Sequence, residues 1–357
     1  YSDTPSNSAE IFSRWHKNRQ KEIRAKLLGI MFLRIPLIDP DSILARLTPL
    51  LGFLFGPIGW VLWLGVVGSG IKTAMDHGTA LTNQAQSILA PDNLILLYLS
   101  MILIKLLHEF GHTIICRYYG GEVHTMGVML IVFTPLPYVD TTSSWQFRER
   151  WKRALVGAGG MIVELFVAAI AVMVWAATDD PLINNLAYNI IFIASISTLL
   201  FNANPLLRFD GYYILSDLLD VPNLYNRARQ QIRIYFERYL YRVKDNDPAA
   251  HSKSEAFWLT SYGITSGLYR VVVFANILLF VADKFLILGF LMALFMMVSW
   301  IILPPVKLIK YLVSSPRLHH TRVHAIFVTI TIFTAIISLL TIIPFPDRLY
   351  APGVVEA

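Results

Sequence analysis

Long apolar runs separated by short polar stretches dominate this chain. Seven of them approach the roughly 20 residues that a helix needs to cross a bilayer. They lie at 49–71, 94–116, 154–177, 183–206, 258–282, 285–303 and 324–344. An eighth run, MGVMLIVFTPLPYV at 126–139, is too short to span, and Pro135 and Pro137 break any helix there. It predicts a re-entrant strand or loop, tolerated at membrane depth only where protein or water covers it. Two further stretches, 10–33 and 223–243, mix basic and apolar residues at helical spacing, the pattern of a surface helix resting on headgroups. The expected fold is an all-α polytopic membrane protein with about seven transmembrane helices and a short re-entrant segment.

Composition agrees. Of the 357 residues, 55% are hydrophobic and 15% charged, against about 25% charged in soluble chains. The net charge of +6 matters through its placement. Basic residues crowd into 1–48, 145–153, 208–257 and 304–323, while 72–93, 178–181 and 283–284 are nearly free of them. Threading seven spans puts every basic segment on one side, so the N-terminus is expected in the cytoplasm and the C-terminus outside, in the periplasm or extracellular space. The basic residues are dispersed between apolar runs, which argues against a nucleic-acid partner. The single cysteine, Cys116, allows no intrachain disulfide and no Cys-rich metal site, so a metal must be held by His, Asp or Glu. The chain opens on Tyr1 and closes on RLYAPGVVEA, inside an expected strand; it reads as part of a longer protein.

The second span carries the chemistry. Its sequence LLYLSMILIKLLHEFGHTIICRYYGG contains His108-Glu109-Phe110-Gly111-His112. Residues i and i+4 share a helix face, so His108 and His112 can supply two nitrogens to one zinc, and Glu109 can act as general base on a water there. Ionisable groups are costly within a membrane and by default mark function. A catalytic zinc keeps three protein ligands and one open position. The best third ligand is Asp210, in FNANPLLRFDGYYILSD at 201–217. With the orientation above, spans two and four run in the same direction, and Asp210 falls at the same depth as the histidines. Pro205 ends the helix, and Gly211 permits a tight turn that aims the carboxylate back into the bundle.

These motifs resemble those of the site-2 protease family of intramembrane zinc metalloproteases, with His108, Glu109 and His112 on one core helix and Asp210-Gly211 after an Asn204-Pro205 stretch. VHTMGVMLIVFTPLPYVD, NPLLRFDGYYILSD and the closing APGVVEA are similar to the peptide zinc metalloprotease branch, whose members carry a membrane-fusion-type adaptor. The resemblance covers roughly 40–357. It implies a three-helix zinc metalloprotease core from spans two to four, a bound Zn2+, an endopeptidase acting on a membrane-anchored or exported peptide, export-system partners reached through the adaptor, and a bacterial inner membrane. The corresponding organisation is a basic N-terminal segment (1–48), the first span and an external loop (49–93), the core (94–220), an amphipathic segment (221–257), three further spans (258–345) and the start of a lipoyl-like adaptor (346–357).

One position departs from the family. Where many members have Gly-x-x-x-Asn, this chain has Gly160-Met-Ile-Val-Glu164, and an anionic Glu164 is a poor oxyanion donor; either Glu164 is protonated, which burial favours, or another group does that work, and the plainer alternative for Glu164 is an interhelical hydrogen bond. Asn202 and Asn204 are candidates for holding an extended substrate or bonding the metal ligands. Asp140 either lines the substrate path or caps its loop. Lys105, one turn before His108, is a bonded or cavity-facing lysine or a catalytic one. Two competing functions remain: a non-proteolytic scaffold anchoring an external adaptor, and a di-iron enzyme drawing on HHTRVH at 319–324, for which the histidines are too few.

Overall fold

The computed structural model describes residues 33–131, 134–243, 250–319 and 321–342. The expected surface helix at 10–33, apart from its last residue, and the adaptor start at 346–357 lie outside the described residues. Seven helices are long and apolar enough to cross a membrane, in line with the hydropathy pattern. The chain divides into two compact units, one ending at Pro222 and the other beginning at Asn223.

The first unit opens with β1 (Arg34–Ile38) and α1 (Asp41–Leu51). The first long helix, α2, runs Pro57–Asp76 rather than starting near 49. Gly56 is extended and Pro57 occupies the first helical turn, where its missing N–H costs nothing. A short α3 (Gly78–Gln84) leads to α4 (Leu94–Tyr118), then β2 (Met126–Ile131), β3 (Thr134–Val139), α5 (Arg150–Ala177) and α6 (Pro181–Ile196). A wide π-type turn, Ser197–Asn202, extends α6. The fourth span therefore ends at Asn202 rather than 206, ahead of Pro205, and α7 (Asp210–Leu218) follows.

The chain is mostly helical, as expected, and the short segment expected as strand or loop is strand. The 126–139 run is an antiparallel hairpin, joined by β1 into a sheet of order β1-β2-β3. Pro135 and Pro137 lie on an outer strand, where proline is admitted. Gly127 is required in the middle: a Cβ there would stand 2.1 Å from the Ile35 carbonyl oxygen.

Helix α5 is the axis of the first unit and packs on α2, α4, α6 and α7. It crosses α4 where Gly111 faces Gly159; a Cβ on Gly111 would lie 2.4 Å from the Gly159 carbonyl oxygen. Small residues let helices approach to backbone contact, the usual solution where lipid offers no hydrophobic drive for association. On α2, Trp63 donates its indole N–H to the Ile162 carbonyl at 2.9 Å. Beside the start of α4, Asn93 exchanges reciprocal amide bonds at 2.9 Å with Asn189 of α6.

The second unit holds α8 (Leu224–Tyr235), extended by a π-type turn at Phe236–Leu240, then α9 (Lys253–Lys284) and α10 (Leu286–Met296). A further π-type turn, Met297–Ile302, carries α10 into α11 (Leu303–Ser314), and α12 spans Arg322–Ile342. The sixth span thus runs on to Ser314 instead of stopping at 303. Pro304 and Pro305 fall in the first turn after the wide turn, so the helix continues past them. Ser252 caps α9 by accepting from the Glu255 N–H at 3.1 Å.

Candidate metal centre

Two residues of α4 and the first residue of α7 build the centre. His108 and His112 stand one helical turn apart and are 4% and 8% exposed, so their imidazoles are committed to the interior. Gly160 on α5 makes room for the first; a Cβ there would lie 2.3 Å from the His108 ring. Asp210 enters from the first residue of α7. Its neighbour Gly211 presses on the backbone of Ala203 and Asn202, leaving no space for a side chain.

The outer nitrogen of each imidazole is already tied. His112 Nδ1 sits 2.7 Å from the Val156 carbonyl oxygen. A carbonyl only accepts, so Nδ1 carries the proton and Nε2 presents a lone pair. His108 Nδ1 lies 3.2 Å from Glu164 Oε1, which fixes its tautomer the same way. The two Nε2 atoms then face each other at 3.0 Å, with Asp210 Oδ2 at 3.0 Å from one and 3.6 Å from the other. Asp210 Oδ2 is buried without a hydrogen-bond partner.

Three electron-pair donors meeting at one point repel one another unless a cation joins them. Two imidazole nitrogens and one carboxylate form a donor set suited to zinc. Among the described residues, His108, His112 and Asp210 are the one group of three or more His, Cys, Asp or Glu side chains whose ligand atoms converge, all within 4.8 Å. The residues therefore fit a divalent metal.

Glu164 is fully buried and is the hub behind His108. Lys105 Nζ donates to its Oε1 at 3.0 Å and also bonds the Ser197 hydroxyl. The Thr198 hydroxyl donates to Oε2, and the Asn202 amide donates to the same oxygen at 3.3 Å. Of the alternatives for Glu164, the interhelical hydrogen bond is the one found. The wide turn at Ser197–Asn202 supplies two of these partners, Thr198 and Asn202, and Ser197 joins through Lys105. Ser197, Thr198 and the Val156 carbonyl were not legible as site groups; the only signal is a run of small polar residues at the end of an otherwise apolar helix.

A cavity of about 400 Å³ opens beside the cluster, lined by Glu109, His112 and Asp210 and by Arg34, Met129 and Tyr138 of the sheet. Asp140 lines the same cavity and also accepts from the Thr142 N–H at 3.0 Å, so it is both wall and loop cap. Asn204 is not brought to the site: its side chain accepts from the Leu206 N–H at 2.9 Å and holds the turn. Asn202 reaches the site only through Glu164 and the neighbourhood of His108, 3.5 Å from its Nδ1. His124 pairs with Asp39 and Glu122 at 3.2 Å, away from the metal ligands.

No family model, curated protein or solved structure matches this chain.

Proposed function

We propose that the chain is a zinc-dependent intramembrane endopeptidase of the site-2 protease type, cleaving a membrane-anchored or exported peptide. One observation carries the reading: both histidines have their Nδ1 atoms tied, so two Nε2 lone pairs and the Asp210 carboxylate point at one place, with Glu109 on the cavity beside it. A Zn2+ held by His108, His112 and Asp210 supplies Lewis acidity for amide hydrolysis and for acidifying a water. Glu109 takes the proton from the attacking water and passes it to the leaving amine. Val156 and Glu164 keep the imidazoles in the ligating tautomer. A helical substrate shields its peptide bonds, so the segment to be cut unwinds and lies extended against the sheet, in the manner of strand addition. The apolar helices keep water out of the bundle except through the cavity.

The distribution of basic residues supports a cytoplasmic N-terminus and an external C-terminus, with the metal ligands toward the cytoplasmic face of a bacterial inner membrane. An adaptor beginning near 346 links the enzyme to an export system. The test is elemental mass spectrometry on the purified full chain, paired with cleavage of membrane-anchored peptides. About one zinc per chain and cleavage abolished by Glu109→Gln support the reading. Zinc with undiminished cleavage by Glu109→Gln rejects the mechanism, and a well-folded chain without zinc leaves a scaffold.

A further inference from the structure

We propose that the second unit carries a binding site for an anionic phospholipid, in the cleft between the π-type extension of α8 and helices α11 and α12. The cleft has a volume of about 570 Å³, within the range of sites that enclose small ligands. Its walls are apolar: Phe236, Leu308, Ile332 and Phe333 line it. Phe236, Ile332 and Phe333 remain 54%, 39% and 42% exposed, so the cleft opens onto the surface that faces lipid in a membrane-spanning bundle. An acyl chain matches that lining.

The charged residues select the headgroup. Arg233 and Lys307 line the cleft together with Glu237 and Tyr311. Arg233 Nε donates to Glu237 Oε1 at 2.7 Å, and the Tyr311 hydroxyl donates to the same oxygen at 2.6 Å. The Arg233 guanidinium stacks over the Tyr311 ring, 4.9 Å from its centroid. Arg317 lies 3.8 Å from Glu237 Oε2. Two guanidinium groups thus meet one carboxylate, and Lys307 adds a third cation with no carboxylate partner among the described residues. The surplus is positive, beside an apolar slot of acyl-chain character. Basic pockets between transmembrane helices take phosphate-bearing headgroups, and a lysine reaches such a group by extending along the helix. The surplus also disfavours the chain's own basic 1–32 segment as occupant, since like charges repel.

The test uses the full chain, delipidated in detergent and titrated with dioleoyl-phosphatidylglycerol, dioleoyl-phosphatidylcholine or inorganic phosphate, with bound lipid counted by native mass spectrometry. Phosphatidylglycerol is expected to be retained in preference to phosphatidylcholine, and inorganic phosphate is expected not to displace it. Lys307→Glu is expected to weaken phosphatidylglycerol retention by about fivefold or more, the effect of one basic residue near an anionic headgroup. Ile332→Trp, which fills the slot, is expected to weaken retention of both lipids; Leu308→Trp serves if the first variant does not fold. An unchanged lipid-free melting temperature separates a lost site from a damaged fold. Equal retention of phosphatidylglycerol by wild type, Lys307→Glu and the slot-filling variant overturns the proposal. Displacement by inorganic phosphate overturns it too, because the site then recognises phosphate and not lipid.

Discussion

Two carboxylates, one in each unit, make an instructive pair. Asp210 and Glu237 each keep one oxygen buried without a hydrogen-bond partner. Their surroundings differ in what balances the charge. Glu237 is met by Arg233 and approached by Arg317, cations at every ordinary pH. Asp210 is met by two imidazoles whose Nδ1 protons are spent on Val156 and Glu164. An orphaned oxygen is thus not by itself a sign of a missing ion. The sign is an orphaned oxygen among other electron-pair donors, and among the described residues only the first unit has that arrangement.

The comparison can be broken most severely at the ligands. Asp210→Ala or His112→Ala is expected to take zinc from about one per chain to none, because a three-ligand site does not survive on two; Glu237→Gln should leave the metal content untouched. Elemental mass spectrometry on all three variants decides it. Next in size, Glu109→Gln should lower turnover on the order of 10²-fold or more while zinc stays bound, as read by cleavage of a membrane-anchored reporter peptide. Glu164→Ala is expected to weaken metal affinity by about 10–100-fold, the usual effect of removing a partner that orients a ligating histidine; competition with a chelator measures it.

The smallest effect concerns pH. Burial would raise the Glu237 carboxyl, but hydrogen bonds from Tyr311 and Arg233 depress it. A depressed acid contributes stability that is present above its unfolded value, about 4.3, and is lost as pH falls through the folded value. The melting temperature of the wild type should therefore fall more steeply with acidification below that point than the melting temperature of Glu237→Gln. Parallel curves would show that the arginines do not favour the ionised form.

The cluster of His108, His112 and Asp210 was legible in the sequence because its signal is local and out of place. Two histidines at i and i+4 inside an apolar run have few packing explanations, and Asp210 stands at a helix break of matching depth. Glu164 was visible as an anion in an apolar helix, but its partners come from α4 and the end of α6, far away in sequence, so its bonds were not readable. β1 was missed for another reason. RIPLI is five residues long with a proline in the middle, and its pairing with β2 depends on Gly127 rather than on any pattern of its own. The end of the sixth span was misplaced because a proline pair ordinarily stops a helix, whereas the preceding wide turn lets this one continue.

The crossing of Gly111 and Gly159 sets a limit on how the protein can drift. Contacts between side chains can be rebuilt by new side chains over many generations, and lipid-facing positions tolerate almost any apolar residue. A contact between two backbones offers nothing to exchange. The spacing between the helix that bears the histidines and the helix that bears Glu164 is therefore insulated from change in the bundle around it, and most of the scaffold is free to vary while the geometry of the centre is inherited intact.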